Sequence, residues 1–553
     1  MEKSYPRTAV AQITTYPGEF RKNQVKIVAA LRAAREQQAG LVVFPELTIP
    51  GYAHLDLALR TEYVDANLRC LEELLPETAD LTALIGFIDR DPAERGPNNQ
   101  PVLYNSVAVI HNGELVAIRD KTLLPSYDIF YEERYYTPGT RRGIVEVAGL
   151  KLGIGVCEDL WSEGYSTKIY PQLIQAGADL LVNLSASPLH LAKLQERVQR
   201  IAEISKNHHL PFVYTNLSGS FDGYEGEIVF DGRSLVFDQA GQLVGLGATF
   251  AEDLFVVDFE RAQPLLLSAY DEAEEIYGAL VLGIREYFRR NGFQRAYLGL
   301  SGGIDSAIVA ALAVEALGAA NVIGVTMPSH ITTDATRNDA LLLAKNLGIR
   351  CDLRPILPEY QSWQNEFKES IGKEPLSLTK QNKQARIRGA ILMEYSNEDP
   401  RGLVITTGNK TELATGYCTL YGDMCGGLAA ISDVSKERVY LLSQLVNRRA
   451  GCDIIPESII KRVPTAELEV GQTDAANLPA DYEVLSPLVT DIVDNEISFQ
   501  DLCRRYDKTV VQETLRLIHR SEFKRRQAPP GIRVTRKAFG IGRRYPLTHS
   551  FFE

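Results

Sequence analysis

The chain lacks the features that mark secreted, zinc-bound and membrane-spanning proteins. Its seven cysteines are scattered without a CxxC pair, and the odd count disfavours a disulfide framework or zinc site and favours a reducing compartment. No apolar run approaches the roughly 20 residues that cross a bilayer, and the first residues lack the charged and apolar regions of a signal peptide. The net charge of −12 argues against a protein that coats nucleic acid. We therefore expect a cytoplasmic protein with no membrane or nucleic-acid partner.

The sequence also has no internal repeat and no low-complexity tract. Its 553 residues are too many for one ordinary hydrophobic core and suit about two to four domains. The content of 45% hydrophobic and 24% charged residues is typical of a globular protein.

Buried strands and helices alternate through roughly the first 260 residues. The segments TAVAQI, LVVFPE, ALIGFID and KLGIGVCED have the apolar character of buried strands, and the run from Asn23 to Gln38 has helical spacing. Asn112-Gly113 between two alternating runs predicts a hairpin turn. Several strands end in polar residues, which is where α/β proteins place their sites.

The second half has the pattern of a doubly wound parallel sheet. After a connection over residues 261–275, a helix leads into the strand AYLGL, the loop SGGIDS and a further helix. The helix TDATRNDALLLAKNLG is capped by Thr333 or Asp334 and ends at Gly348. The polar stretch 365–385 is expected to form a loop over a site.

Three polar residues of the first half fall at strand ends and suit the cleavage of an amide. Cys157 follows a buried strand, and its thiol needs conversion to a thiolate before it can attack an amide carbon. Glu46 can take that proton and return it to departing ammonia. Lys121 can stabilise the thiolate and the oxyanion.

The contexts of these residues, FPELTIPGY, RDKTLLPSYD and GVCEDLW, resemble those of the nitrilase or carbon–nitrogen hydrolase superfamily over residues 5 to 260. The resemblance implies an αββα sandwich with Glu46, Lys121 and Cys157 as the catalytic triad. It also implies Glu133 as a further carboxylate that orients the lysine or the substrate. In the glutaminase branch of this superfamily, the matching positions for glutamine binding are Tyr127, Ser187 and Lys193.

The second half holds a loop with the features of a phosphate-binding site. SGGIDS lies between an apolar strand and a helix, where glycines allow close backbone approach and the helix N-terminus attracts anions. An acid among phosphate donors suggests that Asp305 holds Mg²⁺. The loop resembles the PP-loop of the N-type ATP pyrophosphatases, which implies ATP binding by Gly299, Leu300, Ser301, Gly302, Gly303, Ile304, Asp305 and Ser306.

Segments after this loop narrow the resemblance. TTGNKTELATGYCTLYGDMCGGLAAISDVSK, KQARIRG and PTAELEVGQTDAANLP are similar to NAD synthetase sequences over about residues 275 to 540. The likeness implies Glu412 as a second magnesium ligand near the substrate, and Thr407, Lys436 and Thr465 as ATP contacts. For deamido-NAD it implies Asn382, Arg386 or Arg388, and Lys524.

Both halves together resemble the glutamine-dependent NAD(+) synthetases. This implies a nitrilase-like domain over residues 1–260, a connection over 261–275, and an adenine nucleotide alpha hydrolase-like PP-loop domain over 276–553. It further implies the substrates L-glutamine, deamido-NAD and ATP, the cofactor Mg²⁺, and a homo-oligomer that is a dimer or larger. Two alternatives stay open: a PP-loop amidotransferase with another acceptor carboxylate, and a regulatory protein that keeps the fold without catalysis.

Overall fold

The computed structural model describes residues 4–96, 99–223, 226–540, 542–549 and 551. The chain divides into two compact units. The first comprises the described residues up to Phe221 together with Val229–Tyr270, and the second comprises Asp222–Ile228 and the described residues from Asp271 onward. None of the helices within these ranges has both the length and the apolar character that a membrane crossing demands.

The described residues up to Tyr270 form strands and four α-helices, joined by loops and short 3-10 turns. In chain order they are β1 (Thr8–Gln12), α1 (Phe20–Glu36), β2 (Leu41–Val43), α2 (Thr61–Leu74), β3 (Thr82–Arg95), β4 (Pro101–His111), β5 (Glu114–Asp120), β6 (Ile144–Val147), β7 (Leu150–Val156), α3 (Ile169–Gln175), β8 (Leu180–Ser185), α4 (Lys193–His208), β9 (Phe212–Asn216), β10 (Ser218–Asp222), β11 (Gly226–Asp231), β12 (Leu235–Phe237), β13 (Leu243–Leu246) and β14 (Asp253–Val257).

The first unit is a four-layer αββα sandwich, as the family resemblance implies. One sheet has the order β14-β1-β2-β3-β4-β5 and the other β13-β12-β9-β8-β7-β6. Apolar residues of both sheets, such as Val43 and Val182, form one buried cluster between them. The outer face of the first sheet packs on α1 and α2, and that of the second packs on α3 and α4. Each sheet thus buries both faces, which explains the continuous apolar runs of its central strands.

Local signals set most of the element boundaries. The predicted turn at Asn112-Gly113 joins β4 to β5, and both residues have positive φ angles, 52° and 84°, as the tight hairpin turn requires. Helix α1 begins at Phe20, three residues before the predicted start at Asn23, and Asn23 itself is buried in its first turn.

The chain from Asp271 forms the elements of the second unit. In chain order they are α5 (Glu272–Asn291), β15 (Arg295–Gly299), α6 (Ile304–Leu317), β16 (Val322–Thr326), α7 (Asp334–Leu347), β17 (Arg350–Leu353), α8 (Leu357–Ile371), α9 (Ser377–Glu398), β18 (Gly402–Thr406), α10 (Lys410–Thr415), β19 (Leu428–Ala429), α11 (Lys436–Ala450), α12 (Glu457–Lys461), α13 (Tyr482–Val493), α14 (Phe499–Arg505), α15 (Lys508–Arg520), α16 (Glu522–Arg525) and β20 (Gly531–Arg533).

Strands β20-β19-β18-β15-β16-β17 of this unit pair in that order, and every pairing is parallel. The chain runs from β15 through β16 to β17 in one direction and from β18 through β19 to β20 in the other. The order therefore reverses between β15 and β18, which is the predicted doubly wound arrangement. Ligand sites of such sheets lie beyond the carboxyl ends of the strands at this reversal.

The expected loop over residues 365–385 is wrong. The stretch belongs to α8 and α9, which are separated by a short turn that starts at Gly372 with a φ of 74°. Tyr360 is the one buried residue of α8, so the polar residues of this stretch form an exposed helix face instead of a loop. The N-cap of α7 is Thr333, the first of the two predicted candidates, because its hydroxyl accepts the backbone N–H of Thr336.

Candidate active sites

Lys121 is the centre of a buried charge cluster in the first unit. Its Nζ donates to Glu46 Oε1 at 2.8 Å and to Glu132 Oε1 at 2.7 Å, and its side chain is fully buried. Burial alone would lower the pKa of Lys121, but the carboxylates of Glu132 and Glu46 outweigh it and raise that pKa well above its usual value. Lys121 therefore stays a cation between the carboxylates of Glu46 and Glu132.

Glu46 follows β2 and is held by three donors. Asn105 Nδ2 and Lys121 Nζ donate to its Oε1, and the backbone N–H of Ala186 donates to its Oε2 at 2.8 Å. Gly86 makes room for this segment, since a Cβ there would lie 2.4 Å from the backbone nitrogen of Leu47. Glu46 is thus fixed in place before any substrate arrives.

Cys157 is the first residue after β7, at a sharp turn in the chain. Its φ of 43° lies in the left-handed region, which costs an L-residue about 1–3 kcal/mol. Burial and the Glu46 carboxylate raise the pKa of the thiol well above its usual value, while the Lys121 ammonium opposes them. Cys157 therefore rests as a thiol and needs a base to become a nucleophile.

The carboxylate beside Lys121 belongs to Glu132, and the expectation of Glu133 is wrong by one residue. Glu132 is buried and contacts the lysine, whereas the neighbouring Glu133 is exposed. Both lie in the short 3-10 turn Glu132–Arg134, in which consecutive side chains point in different directions. Burial raises the pKa of Glu132.

Asp159, which the sequence analysis did not single out, connects the turn at Cys157 to the segment that directly follows Lys121. Its carboxylate accepts the backbone N–H groups of Thr122 and Leu123 on one oxygen and that of Val156 on the other. Burial raises the pKa of Asp159 to about 6, against the effect of these donors. These hydrogen bonds hold the segments that carry Lys121 and Cys157 next to each other.

Glu158 is a further carboxylate of this site that sequence reasoning missed. It accepts hydrogen bonds from the hydroxyls of Tyr127 at 2.9 Å and of Tyr165 at 3.0 Å. Glu158 is buried, and burial raises its pKa. The predicted residue Tyr127 is 53% exposed, so its ring lies at the open side of this group. The signal for Glu158 was its position next to Cys157 at a strand end.

The two other residues predicted to bind glutamine have different surroundings. Ser187 is buried, and its carbonyl and hydroxyl both accept from Arg197, which also pairs with Asp231 at 2.8 Å. Lys193 begins α4, and its Nζ lies 3.7 Å from the ring centroid of Trp161. Burial and the Arg197 charge lower the pKa of Lys193 to about 8.

The SGGIDS loop of the second unit packs closely against α7 at Gly302. Gly302 has a φ of 81°, and a Cβ there would lie 2.3 Å from the Thr336 carbonyl oxygen. The Ser301 hydroxyl accepts the N–H of Gly303, and the Ser306 hydroxyl donates to the Gly303 carbonyl at 3.0 Å. A side chain at Gly302 would push this loop away from α7.

Four charged or polar residues meet where the sheet order reverses. Asp305 follows β15, whereas Asn409 and Glu412 follow β18, and Asn409 Nδ2 donates to Asp305 Oδ1 at 2.9 Å. Lys436 Nζ donates to Asp305 Oδ2 at 2.5 Å and lies 3.4 Å from Glu412 Oε1. Burial and the Asp305 charge raise the pKa of Glu412, and the two carboxylates raise that of Lys436 despite its burial.

These groups open into a cavity of about 690 Å³, large enough for a nucleotide. It is formed by residues of the second unit alone. Every residue predicted to bind ATP or deamido-NAD lines it, namely Gly299, Leu300, Ser301, Gly302, Gly303, Ile304, Asp305, Ser306, Asn382, Arg386, Arg388, Thr407, Glu412, Lys436, Thr465 and Lys524.

Several of these residues also make contacts to the walls of the cavity. Arg388 Nε donates to the Met327 carbonyl at 3.1 Å, and burial lowers the pKa of Arg388 to about 10. Lys524 Nζ donates to the carbonyls of Gly416 and Cys418, each at 2.7 Å. Lys524 thus supports the chain that follows α10.

Asp474 is a further buried carboxylate in this cavity. Its Oδ2 accepts from the Tyr482 hydroxyl at 3.1 Å, and its Oδ1 has no hydrogen-bond partner among the described residues. Burial raises the pKa of Asp474, while the nearby Lys436 lowers it. Its segment, GQTDAANLP, carried a family signal, but nothing in the sequence distinguished this acid from an exposed one.

Comparison with known proteins gives the same two-part organisation. The Carbon-nitrogen hydrolase family model matches residues 7–263, and the NAD synthase model matches residues 276–528. The chain is 37% identical to the glutamine-dependent NAD(+) synthetase of Thermotoga maritima over 99% of both chains. It is 39% identical to that of Synechocystis sp. over 98% of both.

Solved structures agree with these matches. The glutamine-dependent NAD+ synthetase from Acinetobacter baumannii, in complex with adenosine diphosphate, is 35% identical with a TM-score of 0.77, covering 99% of this chain and 98% of that one. The enzyme from Cytophaga hutchinsonii shares the fold with a TM-score of 0.85 over the same shares of the two chains, at 21% identity.

Proposed function

We propose a division of labour between the two sites of this chain, which belongs to the glutamine-dependent NAD(+) synthetases. The enzyme amidates deamido-NAD(+) to NAD(+) with ATP and the amide nitrogen of glutamine. The observation that carries the division is that Cys157 shares one buried cluster with Lys121 and Glu46, while Asp305, Glu412 and Lys436 converge in the nucleotide-sized cavity of the other unit.

In the first unit, Cys157 attacks the side-chain amide of glutamine. Glu46 accepts the thiol proton as the sulfur–carbon bond forms, and Lys121 stabilises the negative charge that develops. Glu46 then returns the proton to the leaving nitrogen, so that ammonia departs and a glutamyl thioester remains. Water, deprotonated by Glu46, hydrolyses the thioester to glutamate and restores the thiol. Glu132 holds the Lys121 ammonium in position.

The surroundings of Cys157 suggest how the amino-acid end of glutamine is held. Glu158 offers a carboxylate to the α-ammonium group, and Lys193 offers an ammonium to the α-carboxylate. Tyr127 orients Glu158 through its hydroxyl. Ser187 is held by Arg197 and contributes its hydroxyl to the same end.

Glutamine affinity is expected to fall as the pH rises through the pKa of Lys193. Because that pKa is lowered to about 8, the ammonium is present below pH 8 and is lost above it. The KM for glutamine, measured by glutamate release between pH 7 and 9, should therefore increase with pH. Lys193→Met should raise this KM at pH 7 and make its increase with pH smaller, because only the α-ammonium group of glutamine then still loses its proton over that range. Lys206→Met on the same helix is the control. An unchanged pH profile in Lys193→Met would contradict the assignment.

In the second unit, the PP-loop and Lys436 are suited to the phosphates of ATP. Asp305 and Glu412 already converge on one cation, the Lys436 ammonium, and carboxylate oxygens are the ligands Mg²⁺ prefers. The residues present therefore fit a magnesium ion held by Asp305 and Glu412 together with nucleotide oxygens. When bound, that ion neutralises phosphate charge as pyrophosphate leaves.

The acceptor chemistry follows from the family's ATP-dependent reaction. The nicotinate carboxylate of deamido-NAD attacks the α-phosphorus of ATP and displaces pyrophosphate. Ammonia then attacks the acyl adenylate, and AMP leaves as the amide forms. We assign Asn382, Arg386, Arg388 and Lys524 to deamido-NAD and Thr407 and Thr465 to ATP, and all six residues line the cavity.

The assay that tests the proposal supplies deamido-NAD, ATP and MgCl₂ with either glutamine or ammonium chloride. We expect NAD, AMP and pyrophosphate from both nitrogen sources, and one glutamate for each NAD when glutamine is used. Amidation of other carboxylates but not of deamido-NAD would favour the alternative amidotransferase. The same preparation, examined by light scattering, tests the proposed homo-oligomer, and cell fractionation tests the proposed cytoplasmic location.

A further inference from the structure

Lys410, the first residue of α10, has its ammonium group fully buried in the second unit. The Nζ atom lies 2.8 Å from Asp433 Oδ1 and 2.5 Å from Asp494 Oδ1. It also donates to Thr535 Oγ1 at 2.8 Å and to the Lys537 carbonyl at 2.9 Å. One side chain thus joins α10, the segment before α11, the end of α13 and the chain after β20.

Burying an ammonium group costs free energy unless its N–H groups all have hydrogen-bond partners. A buried ammonium without partners is strongly unfavourable, and even a paired one often stabilises no more than apolar packing would. Here the ammonium is matched by two carboxylates, and Asp433 is itself fixed by the backbone N–H groups of Val534 and Thr535. An apolar residue could fill this volume, so stability alone does not account for a charged network at this place.

The network is adjacent to the two segments that carry the charged groups of the cavity. Lys410 lies two residues before Glu412, and Asp433 lies three residues before Lys436. The backbone reinforces the link, because the N–H of Lys410 donates to the Val434 carbonyl at 2.9 Å and the N–H of Lys436 donates to Thr411 Oγ1 at 3.2 Å. A shift of the Lys410 side chain would move both segments relative to each other.

We infer that Lys410, with Asp433 and Asp494, is a positioning network that sets the spacing of Glu412 and Lys436 for ATP. The inference rests on the proposed function of this cavity. Lys410 does not line the cavity. It acts through the backbone of α10 and of the segment before α11, and its effect is therefore on nucleotide binding and turnover.

The test compares Lys410→Met with Arg295→Met. Arg295 also pairs with a carboxylate, that of Asp399, but at the amino ends of β15 and β18, opposite the cavity. We expect Lys410→Met to weaken ATP binding in the presence of MgCl₂ and to lower the ammonium-driven kcat, each by about 10- to 100-fold. Arg295→Met should stay within about twofold on both, and because its side chain is 40% exposed it should lose less thermal stability than Lys410→Met. Equal effects of the two variants on ATP binding would overturn the inference.

Two further measurements separate positioning from a general loss of structure. In a Glu412→Gln background, Lys410→Met should weaken ATP binding by less than it does in the wild-type background, because both changes act on the same group. Independent, multiplying effects of the two substitutions on ATP binding would contradict the network.

If Lys410→Met does not fold, the same comparison is made between Asp494→Asn and Asp399→Asn. Asp494→Asn should then weaken ATP binding more than Asp399→Asn does. ATP binding is read without turnover, so an absence of NAD formation in the wild type would count against the proposed function alone.

Discussion

Cys157→Ala is expected to abolish glutamine-dependent NAD formation and to leave ammonium-dependent formation intact. Removing a nucleophile lowers turnover by about 10⁴-fold or more, because the remaining groups cannot form the covalent intermediate. The synthetase cavity is formed by the other unit and does not contain this thiol. The measurement is the NAD formed per minute from each nitrogen source, together with glutamate release.

Cys70→Ala is the matched control for this variant. Cys70 is also buried in the first unit, and burial likewise raises the pKa of its thiol, but it packs in an apolar cluster on α2. It should retain glutamine use. If Cys157→Ala still released glutamate at the wild-type rate, the assignment of the nucleophile would be wrong. Loss of both activities in Cys157→Ala would instead indicate that the thiol is needed for folding.

Glu412→Gln is expected to lower NAD formation from either nitrogen source by about 10²- to 10³-fold, as the loss of one charge-stabilising group does in other sites. Glutamine keeps the size of the side chain and can still cap the start of α10, where Glu412 Oε2 accepts the N–H of Asn409. What it loses is the negative charge that faces Lys436 and Asp305. The rate should be measured with ammonium over a range of MgCl₂ concentrations.

The control for this variant is Glu437→Gln. Glu437 is also partly buried and is adjacent to Lys436 in the chain, but it does not line the cavity. It should keep near-normal NAD formation, and both variants should still hydrolyse glutamine. A Glu412→Gln enzyme with normal turnover and magnesium dependence would remove Glu412 from the site.

The sequence alone indicated the two-part organisation, since it depends on local signals. Apolar runs of strand length, the Asn112-Gly113 turn and the SGGIDS loop between a strand and a helix all act over a few residues. The fold class and the family that these patterns predicted are confirmed by the structure and the comparisons. The roles of Glu46, Lys121 and Cys157 stay predictions, although the structure brings them into one buried cluster.

Other features could not be read from the sequence because they depend on directions of side chains and on burial. Glu132 and Glu133 are adjacent and chemically identical, and only the 3-10 turn decides that the first faces Lys121. The polar residues of 365–385 would suit a loop or an exposed helix equally well, and packing in the second unit selected the helices.

Long-range contacts account for the remaining differences. The sequence does not show how far apart in space two distant motifs lie in the folded chain. The 2.5 Å contact between Lys436 and Asp305 therefore forms only when the sheet forms. The same holds for the burial of Lys410 between Asp433 and Asp494. The sequence by itself determined which chemical groups this protein carries and at which strand ends they lie. The tertiary structure decided which of them meet and which are buried, because the free energy of a charge depends on the partners that surround it in the folded chain.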